Sequence, residues 1–264
     1  THTPAPYGYG WTVLSLIPYF LGVGKFLTTW LAFKIFSLGG VLLTLVYFLW
    51  LQKRGTVRLN KLGLLSFCLS PLILLESIGN AHNDIWMMLP AVAGLVLAFQ
   101  YSTQKKPHQV LLSVLLIVIS VSIKWATLVI VPLWLAMVVF GLYWPLSKKL
   151  YEQLREHWAV IASLLMFIPL LTERSQQFHP WYLLWSLVWV PLFPVKETLF
   201  SRIVYIALMA FSVSSLYRYI PWIDAGGFSA DVILHQKLIT WLGGVFIAVV
   251  WFSITSKIKR LPNK

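Results

Sequence analysis

Two acids, a histidine and two asparagines fall within the nine-residue run Glu76-Ser-Ile-Gly-Asn-Ala-His-Asn-Asp84. A carboxylate can take a proton from a hydroxyl nucleophile, bind a metal or hold sugar hydroxyls. His82 can shuttle a proton, or bind an anionic oxygen when charged. Asn80 and Asn83 offer amide donors and acceptors suited to a polyol. Capping of the next helix by Asn83 or Asp84 accounts for one acid. It leaves Glu76, inside an apolar run, unexplained. The flanks, 62–75 and 85–101, look membrane-spanning, and acids at a membrane boundary are costly and usually retained for function.

Three further groups join this one. Lys124 interrupts a long apolar stretch with no other charge within ten residues on either side. It can hold a phosphate as a compact point charge or snorkel to the interface beside Trp125. In the run 173–182, Arg174 can grip a phosphate bidentately and His179 can donate to it. In the same run Trp181 and Tyr182 can stack on a sugar or an isoprenoid, or sit in an interfacial belt. Near the start, Tyr7 and Tyr9 lie beside glycines and can line a carbohydrate or lipid groove, or equally anchor the segment at the interface. Within this set Asp84 is expected to reach solvent and Glu76 to be its buried supporter.

The elements that must position these residues are membrane helices. The 264-residue chain is 59% hydrophobic and 11% charged, with a mean hydropathy of +0.78. That is far from the roughly 25% charged residues of a soluble domain. The fold class is therefore all-α, a polytopic transmembrane helix bundle of about nine spans. These are placed near 26–51, 62–77, 85–101, 109–123, 126–144, 158–172, 181–195, 199–217 and 235–256. Several are short of the roughly 20 residues of a full span, as in bundles with broken helices.

The net charge of +13 is read as the positive-inside bias and not as a nucleic-acid footprint; no nucleic-acid partner is expected. Basic clusters at Lys53–Lys61, Lys105 and Lys106, Lys148–Arg155, Lys196 and Arg202, and the tail alternate strictly with the other loops. These clusters are assigned to the cytoplasm. Five of the eight acids, Glu76, Asp84, Glu173, Asp224 and Asp231, then fall on the opposite face with every group named above. The chain is read as one domain. Residues 1–25 form an outer interfacial or re-entrant segment, 26–256 the bundle, and 257–264 a cytoplasmic basic tail. The loop 218–231 suggests no specific chemistry. The single Cys68 can form no internal disulfide, and no P-loop, GxGxxG, HExxH, paired CxxC or GxSxG motif is present.

GNAHND after an apolar helix, the PYGYGWT start, the isolated Lys124 and FHPWY together resemble the bacterial multi-spanning mannosyltransferases of GT-C type that use polyprenyl-phosphate sugars. The resemblance implies a sugar, mannose, moved from a polyprenyl-phosphate donor to a glycan or glycolipid acceptor. The transfer would invert the anomeric carbon, in the plasma (inner) membrane, with the active face non-cytoplasmic. It implies that Asp84, Glu76 and His82 serve catalysis. Asn80, Asn83, Lys124, Arg174, His179, Trp181, Tyr182, Tyr7 and Tyr9 would bind substrate. A divalent cation, Mg or Mn, is the one cofactor left open. In that family the catalytic acid usually follows the first span. No Asp or Glu precedes Glu76 here, so the base is expected either upstream of residue 1, with Asp84 or Glu76 then binding acceptor or metal, or at Asp84. The competing readings are a transporter or flippase for a lipid-linked sugar and a non-catalytic assembly subunit. Polar groups gathered at one face, not at mid-membrane, favour the enzyme.

Overall fold

The computed structural model describes residues 7–142, 148–172 and 178–258, and every described element is helical. The protein is an all-α polytopic bundle. Five helices are long and apolar enough to cross a membrane, and a sixth span arises if Lys61–Cys68 and Ile73–Gly79, bent by 49° at their junction, are taken together. The other expected spans are shorter apolar helices, Pro107–Ile123, Trp125–Val139 and Pro180–Leu192.

In chain order, α1 (Tyr9–Leu21) and α2 (Phe26–Lys53) form a hairpin, followed by α3 (Lys61–Cys68) and a π-helical turn, Ile73–Gly79. Next come α4 (Asp84–Gln104) and α5 (Pro107–Ile123). A 3₁₀ segment, Trp125–Ile130, leads into α6 (Val131–Leu142), and α7 (Lys148–Phe167) follows. Short pieces around α8 (Leu184–Leu187) precede α9 (Leu199–Tyr217), α10 (Tyr219–Ala225), α11 (Ala230–Leu238) and α12 (Gly244–Ile258).

Three segments differ from expectation for local reasons. Helix α7 starts at Lys148, well before 158, because the charged stretch 148–157 is rich in Lys, Glu, Gln, Leu and Arg, all good helix formers. The expected span 181–195 is broken into 3₁₀ and α pieces, with Pro180 and Pro191 each at the start of a 3₁₀ turn. The expected loop 218–231 is largely helical, with α10 and the start of α11 inside it. Segment 1–25 contains a helix, α1, most of whose side chains are exposed.

Helix α4 is the central post. It buries thirteen of its residues, Asp84, Met87, Leu95 and Tyr101 among them. At about 1.5 Å rise per residue its 21 residues span about 31 Å, the thickness of a bilayer core. Its first residue is Asp84 and its last is Gln104, followed by Lys105 and Lys106. The acid cluster and that basic pair therefore lie at opposite ends of one helix. Asp84 in the first turn also meets the positive end of the helix dipole. Ser120 Oγ donates to the Met87 carbonyl at 2.8 Å and pins α5 to α4.

The glycines of the PYGYGWT run bring α1 into place. Gly8 N donates to the Ile123 carbonyl at 3.0 Å. A Cβ on Gly8 or Gly10 would sit inside van der Waals contact with Ser122. This close approach delivers Tyr7 to the end of α5, beside Lys124. Gly8→Ala should push α1 off α5 and destabilise the protein by about 1–3 kcal/mol, as overpacking does. Thermal unfolding in detergent checks this, and an unchanged midpoint would contradict the packing.

Candidate active site

The site is assembled where helices are interrupted. Helix α5 ends at Ile123, and Lys124 is extended (φ −157°, ψ 127°) before the 3₁₀ segment resumes. This break turns the lysine inward instead of along a helix surface. Its ammonium donates to Asp84 Oδ1 at 2.8 Å, and the two side chains are 12% and 1% exposed. The Trp185 indole N–H donates to the same oxygen at 2.5 Å. Asp84 Oδ2 is buried with no partner, as are both polar atoms of the Asn83 side chain. The ammonium also lies 5.6, 5.1 and 4.8 Å from the ring centroids of Tyr7, Tyr182 and Trp185. These rings form an aromatic floor that favours a cation.

Glu76 occupies the π-helical turn, a rare geometry that recurs at functional sites. Its carboxylate is fully buried. Oε1 accepts from the Tyr219 hydroxyl at 2.8 Å and Oε2 from Asn80 Nδ2 at 3.0 Å. His82 Nε2 lies 3.5 Å from Oε2. The turn from Glu76 into α4 passes through Ala81 at φ +56°, a left-handed conformation that is uncommon for alanine.

The two histidines sandwich one indole. His82 stacks on Trp181 with centroids 4.0 Å apart, and His179 stacks on the same residue at 4.2 Å and 6°. Burial pushes both imidazoles down. For His82 it outweighs the pull of Asp84 and Glu76. His179 is pushed to about 4 by burial, with Arg218, His82 and Lys124 adding to it. Burial and the Asp84 charge raise the Tyr7 hydroxyl.

The structure brings together Glu76, Asn80, His82, Lys124 and Asp84 with Tyr7, His179, Trp181 and Tyr182. Asn83, at the start of α4, is buried with them but makes no cap bond with its side chain. Tyr9 points away from the ion pair, 90% exposed, although it lines the groove beside Tyr7. Arg174, Glu173 and the basic tail from residue 259 lie outside the described residues. Three expectations change. Asp84 does not reach solvent; it is as enclosed as Glu76. Lys124 is paired inward and does not snorkel. His179 is neutral near pH 7, so it is a donor or stacking partner and not a cation for phosphate.

Three residues of the site escaped the sequence: Trp185, Arg218 and Tyr219. Trp185 follows Trp181 and Tyr182 by one helical turn, a spacing that does signal a shared face. Arg218 closes an apolar helix at the end away from the basic loops, the same signal that singled out Lys124. It is buried and donates to the Phe178 carbonyl and, at 3.4 Å, to Gln236 Oε1. Phe178 itself has φ +39°, so a second left-handed turn borders the site.

Two cavities flank these acids. One, of about 800 Å³, is a largely apolar groove lined by Tyr7, Thr12, Val118, Val121, Trp125 and Trp134. The other, of about 590 Å³, lies at the α1–α2 turn and reaches Gly79, Asn80 and Ala81. Among the described residues no group of three His, Cys, Asp or Glu side chains is placed to hold a metal ion.

Fold and site together define a polytopic helical membrane protein with a buried acid–cation centre, held over aromatic rings at one end of its bundle. Residues 1–141 match the family model described as the alpha-(1→6)-mannopyranosyltransferase N-terminal domain, of the MptA/B family. The match covers more than half of the 264 residues, and the chain belongs to this mannosyltransferase family. No curated protein and no solved structure matches it. The protein is thus a glycosyltransferase. The matched part carries Tyr7, Glu76 to Asp84 and Lys124, while His179 to Trp185, Arg218 and Tyr219 lie beyond it and complete the same centre.

The lowered histidines predict an acid-sensitive fold. His179 titrates at about 4 in the fold and at 6.5 in an unperturbed chain, so the unfolded chain takes the proton first. Stability is undiminished above pH 6.5, falls as the pH drops towards 4, and loses nothing more to this group below that. His82 acts in the same direction. Melting curves between about pH 7.5 and 4 should show His179→Gln flattening the decline; a slope equal to wild type would contradict the assignment.

Proposed function

We propose that the protein transfers mannose from a polyprenyl-phosphate donor to a hydroxyl of a glycan or glycolipid acceptor. The transfer takes place at the non-cytoplasmic face of the plasma membrane on a GT-C-type scaffold, with inversion at the anomeric carbon. The observation that carries this reading is the division of labour within one carboxylate. Asp84 Oδ1 is held by Lys124 and Trp185, while Oδ2 is buried and unpartnered. Such an oxygen is the natural acceptor for a hydroxyl proton.

Lys124 is the cation nearest the apolar groove, because Tyr7 both lines that groove and faces its ammonium. An isoprenoid chain in the groove would bring its phosphate to Lys124. The acceptor oxygen attacks the anomeric carbon, and the bond from that carbon to the phosphate oxygen breaks. Polyprenyl phosphate leaves as an anion stabilised by Lys124, and the acceptor's proton passes to Asp84 Oδ2. Anionic phosphate competes with Asp84 for the lysine as the donor arrives. Glu76 acts through others: Tyr219 and Asn80 fix it, and it sits against His82. His82, Trp181 and His179 form a stacked wall for the sugar.

The test is steady-state transfer from polyprenyl-phosphate mannose by the natural full-length protein. Asp84→Asn should lower kcat by about 10²–10⁴-fold with little change in either KM, the range for loss of a general base. Lys124→Gln should raise the donor KM as well as lower kcat. A normal kcat in Asp84→Asn with a raised acceptor KM would make Asp84 a binding residue and place the base elsewhere.

A further inference from the structure

Lys34 lies within the spanning helix α2, where a cation is costly, and the mechanism above does not use it. It does not point to lipid. Its ammonium donates to the Gly79 carbonyl and lies 4.4 Å from the Trp30 ring centroid. It thereby ties α2 to the turn that follows Glu76, and it forms one wall of the 590 Å³ cavity at the α1–α2 turn. Its other walls include Tyr19, Lys25, Trp30, Phe33 and the Gly79–Ala81 turn.

We infer that this cavity is the acceptor subsite, and that it takes a terminal pyranoside of the acceptor glycan. The inference rests on the transferase reading above. Its volume is within the range of small-ligand sites. Its chemistry is that of a sugar cradle. Aromatic faces suit the C–H side of a pyranose, while ammonium, hydroxyl and amide groups meet its hydroxyls. The isoprenoid chain of the donor is better served by the opposite groove, whose named walls are nearly all apolar.

Position completes the argument. Asn80 lines the cavity and also donates to Glu76 Oε2 at 3.0 Å. The cavity is therefore one side chain from the acid centre, on the Asn80–Glu76 side. The apolar groove approaches the same centre from the Tyr7–Lys124 side. The two cavities therefore reach the centre from different sides, one through Tyr7 and the other through Asn80. Asn80 is a positioning residue here, because it links acceptor site and acid cluster. Trp30, half exposed at the cavity wall, is the main sugar-binding residue.

The test uses the full-length protein in lipid nanodiscs, with octyl α-D-mannopyranoside as acceptor. Trp30→Ala and Lys25→Ala are surface changes that leave the core intact. Trp30→Ala should raise the acceptor KM by about tenfold or more, the effect of losing one good contact. Lys25→Ala should raise it less. In both, donor KM and kcat should stay near wild type, and Trp30→Phe should recover most of the loss. Acceptor binding without donor, by equilibrium dialysis of radiolabelled octyl mannoside, should weaken in parallel. An unchanged acceptor KM and unchanged binding in Trp30→Ala would overturn the assignment, as would an equal rise in donor KM. Should no variant and no wild type transfer mannose from the lipid donor, the reaction reading fails, while the dialysis result still decides the subsite.

Discussion

An ammonium and a carboxylate 2.8 Å apart inside an apolar bundle impose conditions on everything around them. Neither ion is stable there alone, and removing one partner of a buried pair typically costs about 3–5 kcal/mol. The protein meets the cost of desolvation with neighbours. Trp185 donates to the carboxylate, and three aromatic rings face the ammonium. The pair and these neighbours come from four separate stretches of chain: the residues before α1, the start of α4, the break after α5, and the turn at α8. The pair therefore acts as a clasp that fixes the top of the bundle. It also leaves one carboxylate oxygen free, and that oxygen carries the proposed chemistry.

Several site residues sit where a helix is interrupted. Lys124 sits in an extended break, Glu76 in a π-turn, and Ala81 and Phe178 in left-handed turns. Trp181 and Tyr182 sit in a 3₁₀ turn started by Pro180. Each interruption costs a regular backbone bond or some strain. In return, side chains that a straight helix would send to lipid are aimed at one another. The same breaks explain why several apolar segments are too short to count as full spans.

Much of this was legible in the residues. Blocks of apolar sequence with sparse charge define the helical membrane class. The isolated charge of Lys124 and the polar run from Glu76 to Asp84 stand out as candidate site residues, but that Lys124 pairs with Asp84 is visible only in three dimensions. The alternation of basic loops placed them at a common end. Other features were not legible. Asp84 looks like a loop residue in the sequence, and only three-dimensional packing shows that α4 and α8 close over it. Tyr219 is separated from Glu76 by 143 positions, and no local period connects them. Lys34 was hidden inside a span whose overall hydropathy drowns a single charge. The helical reach of α7 back to Lys148 is masked in the sequence by its charges, which mark a loop in a membrane chain although the residues are good helix formers.

The central claim is that this clasp works on a lipid phosphate. The most direct measurement compares donors. The full-length protein in nanodiscs is given an alkyl mannoside acceptor with either polyprenyl-phosphate-[¹⁴C]mannose or GDP-[¹⁴C]mannose as the only sugar source. The account predicts labelled disaccharide from the lipid donor and none from the nucleotide sugar. Label transferred from GDP-mannose without a lipid intermediate, and none from the polyprenyl donor, would contradict it.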